Sequence, residues 1–153
     1  MRILPLPLIL ALAACECLPI PSTDTSPPTA GLIVEFRPVG GGPRTTVTVS
    51  QTDSDVTVQA AKNDTVAVVY SGGDPQGIRR VDLDYDMSYS TGTTIVRPLL
   101  AAINVTSDCP RNPFTGAKNF DASNNPWVYT FASSATNWLG ANTKSAKVTV
   151  RTQ

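Results

Sequence analysis

The stretch that decides the fold runs from Thr65 to Leu83 and reads TVAVVYSGGDPQGIRRVDL. Its first six residues form an apolar, largely β-branched run, which is typical of a buried strand. Segment 71–77 then concentrates glycine, aspartate and proline, the residues that form tight turns. From Ile78 the chain alternates apolar and polar residues again, as a half-buried strand does. The stretch therefore predicts two strands joined by a tight turn.

Strand-like runs of the same kind continue in both directions from this stretch. They cover 31–36, 45–50, 56–58, 93–105, 127–133 and 146–151. Segment 107–126 is rich in asparagine, proline and glycine, so it is predicted to be long and irregular. No part of the chain carries an apolar stripe of helical period longer than two turns. About seven to nine short strands separated by turns predict an all-β sandwich or barrel.

The first fourteen residues differ from the rest of the chain. Arg2 is followed by an uncharged run of 12 residues, from 3 to 14, that contains Pro5 and Pro7. Such a run is too short for a membrane-spanning helix, which needs about 20 apolar residues. A basic residue before a short apolar segment is typical of an export signal peptide, so residues 1–14 are predicted to be removed.

The end of this apolar run carries a recognisable motif. The residues Leu12-Ala13-Ala14-Cys15 resemble the lipobox of bacterial lipoproteins. The resemblance implies that the Cys15 thiol receives a fatty-acid-bearing diacylglycerol and that the peptide bond before it is cut. It further implies export and lipid anchoring to the bacterial cell envelope, with the inner or the outer membrane left open. The alternatives are an ordinary signal peptide and a retained N-terminal anchor.

A proline-rich segment follows the lipobox. Residues 18–29 read LPIPSTDTSPPT and contain four prolines. Proline favours the extended polyproline II conformation, in which 12 residues span roughly 35–40 Å. We therefore divide the chain into a signal peptide (1–14), a lipidated N-terminus with a flexible tether (15–30) and one domain (31–153).

Two parts of the domain carry a second resemblance. Residues 65–83 look like the middle of bacterial immunoglobulin-like and cadherin-like surface domains, and residues 135–150 are similar to their closing hairpin. The resemblance implies an immunoglobulin-like antiparallel β-sandwich of about seven to nine strands. Asn137 stands where members of the family usually have aspartate, so the calcium binding known in that family is not carried over from this position. These motifs indicate turns and no activity.

Composition excludes several kinds of chemistry. The chain has no histidine and only three cysteines, which excludes a Ser-His-Asp triad, a His-ligated zinc site and a four-cysteine metal site. Lys plus Arg and Asp plus Glu are both 12, so no basic field indicates nucleic-acid binding. We therefore expect a non-enzymatic protein without an obligatory cofactor.

One group of residues is a candidate metal site. Asp82, Asp84 and Asp86 alternate along a predicted strand and would share one of its faces. Three neighbouring carboxylates repel one another unless a cation or basic side chains neutralise them. One hypothesis is a calcium site, because calcium prefers carboxylate oxygens. The alternative is a solvated sheet face on which Arg79 or Arg97 pairs with the aspartates.

A second group is a candidate ligand-binding site. In an immunoglobulin-like sandwich the loop with Asp74 and the last hairpin loop share one end. The hairpin loop contributes Asn137, Trp138 and Asn142, and a tryptophan beside amides can stack on a sugar ring and bond its hydroxyls. The alternative is that Trp138 caps the core.

Two cysteines remain once Cys15 is acylated. Cys17 and Cys109 would be able to form a disulfide in an exported protein, or else both remain free thiols. From these features we expect a structural or protein-interaction module of the envelope, anchored in the membrane through its lipid. The alternative function is binding of a glycan or another ligand at the Asp74 and Trp138 end.

Overall fold

The computed structural model describes residues 25–61, 63–91, 94–121 and 127–152. These residues contain ten β-strands and no helix: β1 (Thr29–Arg37), β2 (Thr45–Ser50), β3 (Val56–Ala60), β4 (Thr65–Gly73), β5 (Ile78–Thr91), β6 (Thr94–Arg111), β7 (Phe114–Asp121), β8 (Trp127–Asn137), β9 (Asn142–Lys144) and β10 (Val148–Thr152). No helix in this part of the chain is long and apolar enough to cross a bilayer. The prediction of an all-β protein is confirmed, with one strand more than its upper bound.

The strands form two sheets that pack face to face as a β-sandwich. One sheet has the order β2-β1-β4-β7, and the other has the order β3-β10-β8-β5-β6 with the short β9 also paired to β8. Strands β3 and β10 pair in parallel, whereas the other pairs are antiparallel. The chain passes from one sheet to the other five times: before and after β3, between β4 and β5, and before and after β7.

The prediction that 107–126 is irregular is wrong for most of that segment. Strand β6 continues through it to Arg111, which pairs with Ile78 of β5. Strand β7 then runs along β4 from Phe114 to Asp121. Partners distant in sequence hold these residues extended despite their weak strand propensity, because strand formation depends strongly on context. Residues 122–126 lie outside the described residues.

The core lies between the two sheets and is built from the inward side chains of both. Its most deeply buried members, each at most 1% exposed, are Leu32, Val34, Val66, Val68, Tyr70, Ile78, Val81, Leu83, Tyr129, Phe131, Ala135, Val148 and Val150. Phe120 of β7 joins the sheets, since its ring centroid lies 5.0 Å from those of both Tyr85 and Phe131. Within the described ranges, the apolar side chains that form the core run from Ala30 to Val150, so the described domain carries its own core.

Tyr70 fits into this core because its neighbour on β7 has no side chain. Gly116 pairs with Tyr70 across the two strands, and a Cβ added at position 116 would lie 2.3 Å from Cζ of that ring. Real Cβ atoms do not approach other atoms so closely, so any larger residue at 116 must displace the ring from its packed position. Interior packing is as dense as in organic crystals, which leaves little room for such a displacement.

We therefore expect Gly116→Ala to lower the free energy of unfolding by about 1–3 kcal/mol, the usual cost of overpacking a core. Urea unfolding followed by tryptophan fluorescence measures this change. Gly40→Ala is the matched control, because a Cβ at position 40 meets no atom within 4 Å and should alter stability by less than about 1 kcal/mol. Equal stabilities for the two variants would contradict this view of the Tyr70 packing.

Candidate functional site

One end of the sandwich collects most of the residues singled out in the sequence. Strand β1 begins there at Thr29, whose hydroxyl donates to the Gly73 carbonyl at 3.0 Å. The turn 74–77 follows Gly73 directly, and the hairpin loop 138–141 follows the last residue of β8. We call this end, defined by Thr29, the turn 74–77 and the loop 138–141, the tether end.

The turn 74–77 is closed by hydrogen bonds from Asp74. Its carbonyl accepts from the Gly77 N–H at 2.9 Å, and its Oδ1 accepts from the Gln76 N–H at 2.7 Å. Gly77 adopts a φ of 79°, which glycine reaches without steric cost. The backbone N–H of Asp74 donates to Asn112 Oδ1 at 3.1 Å. The predicted turn is thus present, and Asp74 stabilises it from within.

Asn137 connects this turn to the hairpin loop. Its Nδ2 lies 3.2 Å from both Asp74 Oδ2 and Gln76 Oε1 and donates to them. Its Oδ1 accepts from the backbone N–H groups of Leu139, at 3.1 Å, and Ala141, at 2.9 Å. Asp74, Gln76 and Asn137 are 2%, 0% and 0% exposed. We call these three residues the buried polar cluster.

The buried polar cluster changes the interpretation of the predicted ligand site. The structure brings Asp74 and Asn137 together, as predicted, but inside the fold and bonded to each other. A sugar hydroxyl has no access to atoms that are buried and already paired. A ligand at this end would have to use Trp138 and Asn142, so the glycan hypothesis loses two of its four residues.

Trp138 and Asn142 both contact neighbouring side chains. The guanidinium carbon of Arg79 lies 5.8 Å from the centroid of the Trp138 ring, within the range of a cation–π interaction. Asn142 Nδ2 donates to the Ala135 carbonyl at 3.1 Å and to Thr136 Oγ1 at 2.9 Å. Trp138 Nε1 is buried without a hydrogen-bond partner in the described part of the chain. Arg79 therefore covers the ring on which a sugar was expected to stack.

A pocket that the sequence did not reveal lies beside Trp138, on the outer face of the sheet that contains β5. Its volume is about 340 Å³, and its lining consists of Arg79, Arg80, Thr106 and Thr136. The register of β5 shifts between Ile78 and Arg80 with respect to both β6 and β8. With respect to β8, this bulge makes Arg79 an extra residue, and β-bulges commonly redirect a side chain in this way. Two consecutive arginines thereby reach one pocket.

The sequence did carry one signal of this bulge. Strict alternation would place an apolar residue at one of the positions 79 and 80, but both are arginine. Two adjacent polar residues inside an alternating strand indicate an irregularity in pairing. The two threonines could not be found in this way, because their positions beside Arg80 depend on the registers of β6 and β8.

The three aspartates of β5 were predicted to form a metal site or an ion-paired face. Asp82 Oδ1 accepts from Arg80 Nε at 2.6 Å, and its Oδ2 accepts from the Ser134 hydroxyl at 3.4 Å. Asp84 Oδ2 lies 3.6 Å from Lys144 Nζ. Within the described ranges no three Asp, Glu, Cys or His residues lie close enough to hold a metal ion. The geometry favours the ion-paired face, on which Arg80 and Lys144 are the partners that the structure describes. Arg79 lies over Trp138 instead, and the side chain of Arg97 lies outside the described part of the structure.

A shallow groove lies further along the same sheet face. It has a volume of about 290 Å³, and its lining includes Asp84, Asp86, Thr130, Lys144 and Lys147. Asp86 Oδ1 is buried and has no hydrogen-bond partner among the described residues. Charges of both signs line the groove, so its chemistry does not indicate a cation site.

Shifted pKa values are found at positions that stabilise the fold. The Ser50 N–H and hydroxyl donate to Asp53 Oδ2 at 2.6 and 2.8 Å, which lowers the pKa of that carboxyl. The hydrogen bond from Arg37 lowers the pKa of Glu35. Burial, and then the negative charge of Asp82, raises the pKa of Tyr70. Asp53 is exposed, Glu35 is half-buried beside two arginines, and Tyr70 is a core residue, so none of the three forms an acid–base site.

The cysteines bear on the N-terminal predictions. Cys109 is half-buried on β6 and lies at the tether end, between Thr106 and Arg111. Cys15 and Cys17 lie outside the described residues, as does the whole of the predicted signal peptide. Lipidation at Cys15 and the Cys17–Cys109 disulfide therefore stay predictions.

Comparisons with protein-family models and with curated proteins give no match. Function must therefore be argued from the residues themselves.

If the buried polar cluster holds the two loops together, removing one of its members should lower the free energy of unfolding. Asn137→Ala leaves the Asp74 carboxylate and two backbone N–H groups without their partner, and an unpaired buried polar group costs roughly 1–3 kcal/mol. We expect at least that loss in the free energy of unfolding, measured in urea at pH 7. Asn142→Ala, which removes an exposed amide from the same hairpin, should cost about 0.5 kcal/mol or less. If Asn137→Ala were as stable as the control, the cluster would not hold the two loops together.

Proposed function

We propose that this protein is an exported bacterial lipoprotein whose acylated Cys15 anchors a non-catalytic, immunoglobulin-like β-sandwich to the cell envelope. The observation that carries the proposal is where the folded domain begins. Within the described residues the fold begins at the end of the proline-rich segment: Pro28 is buried, β1 begins at Thr29, and Ala30 is 2% exposed. The proposed lipidated residue and spacer thus precede a domain that has its own core.

The strand order supports the immunoglobulin-like part of the proposal. Immunoglobulin-like sandwiches place their second and fifth strands in one sheet and their third, sixth and seventh strands in the other. Here β4 pairs with β7 in one sheet, and β5, β8 and β10 are neighbours in the other. With β4 as the second strand of that scheme, β6 is the fourth and departs from it by pairing with β5, as the additional strand of variable-type domains does.

The side chains support a role in structure or in protein interaction and give no support for catalysis. The carboxylates that a catalyst would need are used elsewhere: Asp74 holds a turn, Asp82 pairs with Arg80, and Asp84 pairs with Lys144. Since the chain has no histidine, an activated serine or cysteine nucleophile would lack its usual base. Glycan binding at the tether end is the weaker alternative, because Asp74 and Asn137 are buried.

Acylation has a direct test in the native host. We expect the mature protein to begin at Cys15 and to carry a mass increment for diacylglycerol, detected by mass spectrometry of the N-terminal peptide. Cys15→Ser should remove that mass and shift the protein from the detergent phase to the aqueous phase. Cys109→Ser is the control and should leave both results unchanged. Recovery of an unmodified Cys15, or of a chain that still begins at Met1, would refute the proposal.

The Cys17–Cys109 disulfide belongs to the same proposal. Cys109 lies at the end of the sandwich where β1 begins, and the segment from Cys17 to Thr29 is long enough to reach it, since an extended chain spans about 3.3 Å per residue. We expect non-reducing peptide mapping to find the two cysteines linked. Reduction should then lower the free energy of unfolding by up to about 4–5 kcal/mol, as expected for a loop of roughly 90 residues. Alkylation of both thiols in the unreduced native protein would show that the bridge does not form.

A further inference from the structure

The pocket formed by Arg79, Arg80, Thr106 and Thr136 has the donors of an anion site. Both arginines are exposed, and guanidinium groups bind phosphate through paired charge-assisted hydrogen bonds. The volume of about 340 Å³ is at the small end of the usual range for ligand pockets, roughly 300–1,000 Å³. We propose that this pocket binds the phosphate group of an anionic membrane lipid.

Arg80 is held in place by a carboxylate on its own strand. Asp82 Oδ1 engages Arg80 through Nε and Nη2, and this leaves Nη1 for another acceptor. Asp82 is 7% exposed, and the hydroxyl of Ser134 donates to its other oxygen. Because the Asp82 carboxylate is buried and accepts hydrogen bonds from both Arg80 and Ser134, it holds the plane of the Arg80 guanidinium. Arg80 is therefore oriented before a ligand binds. Asp82 is thus a positioning residue.

Arg79 supplies the positive charge that the pocket does not compensate. Among the described residues no carboxylate forms an ion pair with Arg79. Its guanidinium instead lies over the Trp138 ring at 5.8 Å, which restricts the side chain without cancelling its charge. Trp138 therefore takes a positioning role in place of the sugar-stacking role predicted for it.

The hydroxyl of Thr136 can donate a hydrogen bond to a ligand in the pocket. Its Oγ1 accepts a hydrogen bond from Asn142 Nδ2 at 2.9 Å. A hydroxyl that accepts through a lone pair keeps its own hydrogen for a second partner, and phosphate oxygens are acceptors. Asn142, predicted as a ligand contact, thus acts through Thr136. Thr106 faces Arg80 from the other neighbouring strand and brings the second hydroxyl.

The position of the pocket selects the source of the phosphate. The pocket lies where β5 begins, directly after the turn 74–77, and therefore at the end of the sandwich from which the chain leads back to Cys15. In an acylated protein this end is the one joined to the membrane, where lipid phosphates are concentrated. The choice of a lipid, as opposed to a free phosphate, rests on the proposed function, whereas the affinity of the pocket for phosphate does not.

Arginine labelling tests the proposal on the whole acylated protein. The protein is incorporated into vesicles of phosphatidylcholine alone or with one quarter phosphatidylglycerol. Each is treated with phenylglyoxal, and the labelling rate of every arginine is followed by peptide mass spectrometry. A third arm adds inorganic phosphate to the phosphatidylcholine vesicles.

Arg111 and Arg151 are internal controls for this experiment. Arg111 lies at the same end of the sandwich, outside the pocket, and its guanidinium carbon is 5.9 Å from the Phe114 ring centroid, which matches the surroundings of Arg79. Arg151 is exposed on β10. We expect phosphatidylglycerol to slow labelling of Arg79 and Arg80 about tenfold relative to both controls, the factor that one hydrogen bond to a charged group contributes. Thr136→Val should reduce this protection without changing the rates in phosphatidylcholine.

The other outcomes overturn the proposal. Equal slowing of Arg79 and Arg111 would show general attraction to the anionic surface and no pocket. If inorganic phosphate slows the labelling of Arg79 and Arg80 but phosphatidylglycerol does not, the pocket is a phosphate site that does not bind a lipid. No protection in any arm would remove the anion site altogether. If Cys15 is not acylated, the protein will not float with the vesicles, and the inorganic phosphate arm then still tests the pocket in solution.

Discussion

The side-chain amide of Asn137 is the contact on which the tether end depends. It is fully buried and uses both its oxygen and its nitrogen to join the hairpin loop 138–141 to the turn 74–77. An amide in such a place stabilises the native state chiefly because it would be costly to leave its partners unpaired. The two loops are therefore fixed relative to each other, and so are Trp138 and the first residues of β5.

Hydrophobic periodicity was enough to predict the fold class and most of the strands. The alternating or β-branched runs at 31–36, 45–50 and 65–70 all lie within observed strands. When one face of a sheet is buried, only one register places the apolar side chains of an alternating strand in the core. Periodicity failed at 107–121, where Arg111 pairs with β5 and residues 114–121 pair with β4. Contacts between residues far apart in sequence are not encoded in local composition.

The candidate sites, too, could be predicted where they depend on local sequence and could not be predicted where they depend on packing between distant residues. Asp74, Asn137, Trp138 and Asn142 were predicted to share an end and do so, but which atoms are buried depends on packing that the sequence does not display. The aspartates of β5 share one face as predicted, and Asp82 pairs there with Arg80, which lies two residues before it on the same strand. The bulge before Arg80, which the sequence analysis did not predict, brings Arg79 to the same pocket. Polar residues that were predicted to contact a ligand or a metal ion thus form hydrogen bonds to other polar side chains of the protein: Asn137 to Asp74, Asn142 to Thr136 and Asp82 to Arg80. In the proposed orientation, the lipid anchor, the buried polar cluster and the arginine pocket all belong to the end that faces the membrane.

Native-state hydrogen exchange at the tether end tests most directly whether the buried polar cluster holds this end rigid. The backbone N–H groups of Gln76, Leu139 and Ala141 donate to cluster side chains, although all three lie outside the regular strands. They should exchange only through global unfolding, with the same protection as core amides such as that of Val34. Exchange as fast as that of Gly40, in the loop between β1 and β2, would show that the two loops open independently and would contradict this account of the tether end.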